Sequence, residues 1–241
     1  MQENKPSGSF GMLQPVWHHL SPEKDHAAGE LYQASIMSAL TDGTYEGGIT
    51  YGELRKHGDF GLGAFNDLDG ETVGFDGVFY QLRSDGSARP VTPDQKTPFA
   101  VTTFFKPQQE LAISQEVSKR DLLSHLEEET DANLFTAIRV DGQFAEVRTR
   151  NVQRQTKVDP SLTEATADET THRFVDVEGT LAGFRSPVYA QGIGVAGFHL
   201  HFLRKDKLAG GHALDYRIRR GTVRFAPLRN LHVEPPPSTG L

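Results

Sequence analysis

The stretch "VAGFHLHFLRKDKLAGGHALDY", residues 195–216, holds three of the ten histidines in the chain. His199 and His201 are separated by one residue, and His212 follows directly on Gly210-Gly211. If "VAGFHLHFL" is a strand, side-chain alternation puts His199 and His201 on one face and Phe198, Leu200 and Phe202 on the other. Same-face neighbours of this kind are close enough to ligate one ion. Gly210-Gly211 permits a tight turn that would return His212 on the adjoining strand. Three neutral imidazoles suit a catalytic zinc or a related ion, with the remaining positions open for water or substrate. The plain alternative is a solvated strand face that carries two histidines by chance.

Other residues could support such a centre. In "EVRTRNVQRQ", Arg148 and Arg150 share one face of an expected strand, and Arg154 follows. A guanidinium there could hold a substrate carboxylate in bidentate fashion, although edge-strand arginines are also ordinary surface residues. In "HGDFGLGAFNDLDGE", glycines crowd around Asp67, Asp69 and Glu71, which would let backbone approach a ligand or simply serve turns. The segment is no phosphate loop, since it lacks GK[ST] and any G-x-G-x-x-G that opens a helix. No G-x-S-x-G nucleophile elbow occurs in the chain. His18-His19 read as arm residues, and His57 as a helix-terminal imidazole favoured there by the helix dipole.

Composition narrows the options further. The chain has no cysteine, which removes thiolate catalysis, disulfides and Cys-type metal sites, so any metal must use His, Asp or Glu. Its 241 residues are 37% hydrophobic and 24% charged, the profile of a globular chain long enough for one large domain or two small ones. The net charge is −7 and the basic residues are scattered, so no nucleic-acid partner is expected. A small anionic ligand remains open, because one or two local arginines can bind it. "MQENKPSGSFGMLQPVWHHL" has no signal-like apolar run, and no stretch approaches a membrane span. A soluble, cytoplasmic protein is therefore expected, or a secreted one if a leader was once removed.

The elements that must hold these residues are mostly strands. Residues 1–30 read as an irregular arm anchored by Trp17, the single tryptophan. "GELYQASIMSALTDG" fits a short helix or a turn-rich strand. Thr50 with Glu53 has capping-box spacing, predicting a helix over 50–57 that stops at Gly58. Ser118 with Asp121 opens a second helix whose Leu122, Leu123 and Leu126 would face the core. "ETVGFDGVFYQL" and "VTTFFKP" are strand-like, and Asp69-Gly70, Asp85-Gly86 and Asp141-Gly142 read as hairpin turns. Two more short strands are expected around Glu178-Gly179. The polar stretch 154–172 is the best boundary between two halves, giving domains of 31–160 and 161–241, with the histidines in the second. The tail "EPPPSTGL" reads as loosely docked or disordered. The sum is an α+β protein with extensive antiparallel sheet and few helices.

Taken in order, "HGDFGLGAFNDLDGE", "FYQLRSDGSARP", "KTPFAVTTFF", "RTRNVQRQT", "GTLAGFRSP", "GFHLHFL" and "GGHALDY" resemble the alpha-acetolactate decarboxylase family from about Ser35 to His232. The resemblance implies zinc on His199, His201 and His212, an active-site acid at Glu71 and an active-site arginine at Arg150. It also implies a fold of two similar strand–helix–sheet units, mostly antiparallel, and a homodimer. The sequence departs from the family in two places. Ala64 in "GAFN" stands where members commonly have Thr, and the family's glutamate near the carboxyl end has no match before Leu241. Glu234 lies too early to be that residue, so the acid is either lost or replaced by another. The activity implied is decarboxylation of 2-acetolactate, a 2-hydroxy-3-oxo acid, to acetoin and CO2. Its electron pair needs a sink, which a Lewis-acid metal on the neighbouring ketone provides without an organic cofactor. A cupin-like metal dioxygenase or isomerase would also use H-x-H on a strand, but the glutamate expected shortly after the pair is missing. A relative that binds metal or a small acid without turnover is the other alternative.

Overall fold

The computed structural model describes residues 29–154 and 169–236. Trp17, His18-His19 and the rest of the expected arm up to residue 28 lie outside the described residues, as do most of 154–172 and the end of the tail. The chain begins with β1 (Glu30–Ala34), α1 (Met37–Thr41), β2 (Ile49–Thr50), α2 (Tyr51–Leu54), β3 (Phe60–Ala64), β4 (Glu71–Phe75) and β5 (Val78–Leu82). It continues through β6 (Ala88–Pro90), β7 (Lys96–Thr97), β8 (Ala100–Thr103), β9 (Gln109–Ile113), β10 (Val117–Ser118) and α3 (Lys119–Glu129). Long strands follow: β11 (Phe135–Asn151), β12 (Thr170–Ser186), β13 (Gly197–Arg204) and β14 (Gly210–Leu228), then the short β15 (Asn230–Glu234).

Two large sheets, with a separate two-stranded ribbon of β2 and β7, organise these strands into the expected sheet-rich α+β fold. The first has seven strands in the order β15-β1-β8-β3-β4-β5-β6, antiparallel except for β1 beside β15. The second contains β11, β12, β13 and β14, and it closes on itself because β13 pairs with both β12 and the start of β14. β9 and β10 add to the outer edge of β14. Phe144, Val147, Leu181, Leu200, Phe202 and Ile218 fill the interior of this closed sheet, where Leu122 and Leu126 of α3 join them. Leu62, Val73 and Phe75 of the first sheet pack against Ala137, Ala182, Phe184 and Leu203 on its outer face. Alternation in the long strands thus serves two cores at once, one residue facing in and the next facing the other sheet.

Local chemistry explains the helices. Thr50 caps α2 with a complete capping box, its Oγ1 accepting from the Glu53 amide while the Glu53 carboxylate accepts from the Thr50 amide at 3.0 Å. The helix is one turn, ending at Leu54 and so shorter than the expected 50–57. Ser118 caps α3 by accepting from the Asp121 amide. Ser118→Ala should cost about 1 kcal/mol of stability without altering catalysis. Urea unfolding alongside steady-state kinetics checks both halves of that statement.

Glycine explains the largest differences from the sequence expectations. Asp85-Gly86 closes the β5–β6 turn with Gly86 at φ +80°. Asp141-Gly142 and Glu178-Gly179, expected to end strands, lie inside β11 and β12. Gly142 stands opposite both Gly179 and Gly221, so three adjacent strands carry glycine in one row. A Cβ on Gly142 would lie 2.5 Å from the Arg220 carbonyl oxygen, and one on Gly179 would lie 2.5 Å from the Phe202 ring. The row allows the three strands to approach closely there. The strands flanking 154–172, β11 and β12, pair with each other along their length, so the proposed division at 160/161 cuts one sheet. The chain passes from the first sheet to the second between β8 and β9 and returns to the first at β15.

Candidate metal centre

β13 and β14 place the histidines. On β13, Leu200 and Phe202 point into the closed sheet, so His199 and His201 point outward toward the first sheet. His201 pairs directly with His212 across β13 and β14. The turn that brings His212 back is at residues 205–209, with Lys207 at φ +63°, and not at Gly210-Gly211. Those two glycines lie in β14 because backbone and Asn151 crowd them. A Cβ on Gly211 would sit 2.2 Å from Asn151 Oδ1. Asn151 is fully buried and donates from Nδ2 to the Gly210 carbonyl at 3.1 Å, tying the end of β11 to the strand that carries His212.

The three imidazoles converge. Their candidate ligand atoms lie within 4.8 Å of one another, and the Nε2 atoms of His199 and His201 are 3.1 Å apart. Three nitrogens on one tetrahedral ion at ~2.1 Å would be separated by ~3.4 Å, so the set is close to a ligating arrangement. His201 is 1% exposed, and its Nδ1 lies 2.8 Å from the Thr72 carbonyl oxygen. A carbonyl only accepts, so Nδ1 carries the proton and Nε2 presents its lone pair to the cluster. Burial holds all three imidazoles below their usual basicity, with the Arg150 charge acting the same way. His199 falls to about 4. Neutral imidazole is the form that binds metal.

β4 delivers the acid. Glu71 opens that strand, with Oε2 at 3.8 Å from His201 Nε2 and Oε1 at 3.8 Å from His212 Nδ1. Burial pushes its carboxyl up to about 7, against the opposing pull of Arg150. Glu71 Oε2 and His212 Nδ1 are buried without a hydrogen-bond partner among the described residues. Leaving such atoms unsatisfied costs about 1–3 kcal/mol each, and a cation bound among them would relieve that cost. The donor set therefore fits a divalent ion: three neutral nitrogens with a carboxylate beside them.

β11 delivers the arginine. Arg150 lies opposite His212 on β14 and opposite Thr171 on β12. Arg148 is exposed on the same strand, and Arg154 pairs with Asp67 at 2.8 Å, joining the end of β11 to the β3–β4 connection. His57 stands apart, its ring stacked on Tyr32 at 3.8 Å. The structure thus gathers Glu71, Arg150, His199, His201 and His212 at the junction of the sheets. Two features escaped the sequence: the Thr72 carbonyl behind His201, and Glu169, which pairs with Arg150. Backbone acceptors have no residue signature. Glu169 could have been found only from the β11–β12 register.

A closed sheet packed on a seven-stranded one, with a histidine triad, a buried carboxylate and an arginine at their junction, defines a sheet-rich protein built around a metal-type site. The alpha-acetolactate decarboxylase family model matches residues 31–240, and the chain belongs to that family. It is 45% identical over 212 residues to the alpha-acetolactate decarboxylase of Klebsiella aerogenes, covering 88% of this chain and 82% of that protein. Identity to the Bacillus licheniformis alpha-acetolactate decarboxylase is 43% over 237 residues, covering 96% and 89%. The crystal structure of the alpha-acetolactate decarboxylase from Bacillus subtilis strain 168 superposes with a TM-score of 0.85 at 41% identity, covering 87% of this chain and 90% of that one.

Proposed function

We propose that this chain decarboxylates 2-acetolactate to acetoin and CO2, using Zn2+ held by His199, His201 and His212. The observation that carries this reading is the convergence of the three imidazoles with the Glu71 carboxyl 3.8 Å from two of them. When bound, the ion supplies a Lewis acid for the substrate's ketone, the sink for the electron pair that decarboxylation releases. The rest is done by the chain. Thr72 fixes the His201 ring in the tautomer that ligates. Arg150 binds the substrate's carboxylate and orients the bond that breaks. Glu71 holds a proton at a carboxyl raised to about 7 and delivers it to the carbon that lost CO2. The C–C bond to the carboxylate breaks and its electron pair moves toward the ketone oxygen; the pair then returns to carbon to take the Glu71 proton, and the new C–H bond with the re-formed ketone completes acetoin.

Packing of the two sheets buries His201 and most of Glu71, which strengthens the charge interactions around them. A homodimer accords with the exposed Val188, Tyr189 and Ile193 on the segment leading into β13. Among the described residues no helix is long and apolar enough to cross a membrane.

Acetoin and CO2 released in equal amounts from racemic 2-acetolactate by zinc-loaded protein, with no oxygen uptake, is the expected result. Oxygen consumption would point to the dioxygenase chemistry that H-x-H sites also support, and bound metal without either would leave a binding protein. Arg150→Lys keeps the charge but loses the planar fork, and should lower kcat/KM roughly 10- to 100-fold, mostly through KM. Initial rates over a range of substrate concentration decide that point.

A further inference from the structure

The Arg150 guanidinium is not free in the site: its Nη1 donates to Glu169 Oε1. The pair is partly buried, with side-chain exposures of 29% and 24%. Strand register produces it. Arg150 lies opposite Thr171 on β12, and Glu169 stands two residues before Thr171, the diagonal position on the same face. Across the other edge of β11, the same Arg150 lies opposite His212. Glu169 directly precedes Thr170, where the β11–β12 ladder ends, and so reaches Arg150 from just beyond the last strand pair.

Among the described residues, Glu169 is the acid that hydrogen-bonds Arg150, while Glu71 acts on it only through charge. An arginine side chain has many rotamers, and its fork recognises a carboxylate only when held in a fixed plane. One Glu169 oxygen on Nη1 restrains that plane and leaves the remaining N–H groups to receive another carboxylate. Charge acts in the same direction. A divalent ion and Arg150 would crowd positive charge at the junction, and Glu169 offsets part of it without entering the histidine cluster.

We propose that Glu169 is a positioning residue, holding the Arg150 guanidinium in the orientation that receives the substrate's carboxylate. The inference rests on the decarboxylase reading of this site. Glu169 acts through Arg150 alone, so its effect belongs to KM and disappears when Arg150 is gone.

The experiment is a double-mutant cycle on full-length, zinc-loaded protein: wild type, Glu169→Ala, Arg150→Ala and the double variant, with Glu169→Gln beside them and zinc content measured in each. Loss of one charge-assisted hydrogen bond should raise the Glu169→Ala KM for 2-acetolactate about 5- to 20-fold, with kcat within about threefold and zinc unchanged. Glu169→Gln keeps an acceptor oxygen and should recover most of the loss. In the Arg150→Ala background, adding Glu169→Ala should change kcat/KM by less than about twofold. An unchanged or lower KM in Glu169→Ala would overturn the proposal, the lower value marking Glu169 as a competitor of substrate. The full Glu169→Ala effect persisting without Arg150 would overturn it too. Wild type that releases no acetoin would instead bring down the decarboxylase reading, and this inference with it.

Discussion

His201→Ala should strip the protein of its metal and lower acetoin release by at least about 10³-fold, since Lewis-acid polarisation supplies several kcal/mol and each 1.36 kcal/mol is a factor of ten. His201 is the best-held member of the triad. It is 1% exposed, its Nδ1 donates to the Thr72 carbonyl, and its Nε2 is 3.1 Å from that of His199. Its loss leaves two imidazoles, too few to hold zinc in competition with water and buffer. The substitution also leaves the Thr72 carbonyl without its partner, so stability should fall by about 1–3 kcal/mol. Far-UV circular dichroism separates the two effects: a folded variant without zinc or activity is the expected outcome. Retained zinc with near-normal turnover would place the ion elsewhere.

Glu71→Gln should have the next largest effect, a fall in kcat of about 10²- to 10⁴-fold with zinc retained, the usual range for losing a positioned proton donor. Glutamine matches glutamate in shape, so packing beside His201 and His212 survives while the exchangeable proton is lost. Among the described residues no basic group is hydrogen-bonded to Glu71, and burial raises its carboxyl to about 7, where a proton can be both held and released near neutral pH. KM should move little if, as proposed, Arg150 binds the substrate's carboxylate. The diagnostic measurement is solvent deuterium incorporation at the carbon that lost CO2, together with kcat. Normal kcat in the glutamine variant would assign the proton to another group.

Much of this site was legible before the fold. Alternation in "GFHLHFL" put His199 and His201 on one face, and the structure places Leu200 and Phe202 in the opposite core. The two capping patterns marked the starts of α2 and α3, since a side chain that caps an amide is a local event written within four residues. Long-range effects were less legible. Gly142, Gly179 and Gly221 look like turn residues one at a time, but they are a steric row across three strands, visible only in register. Gly210-Gly211 misled in the same way, because the Phe202 carbonyl beside Gly210 and Asn151 beside Gly211, and not a turn, require the small residues. Glu169 carried no signal at all, since its partner is 19 residues away and joined to it by a ladder that the sequence does not announce. Convergence of Glu71 with the histidines came from the family resemblance, for nothing local in β4 points to β13.

The most direct test is a titration of chelator-stripped protein with zinc, following acetoin release and bound metal in the same samples. Turnover should rise in proportion to bound zinc and reach its plateau at one equivalent per chain, with His201→Ala flat throughout. Full acetoin release from stripped protein, before any metal is added, would contradict a catalytic ion on His199, His201 and His212.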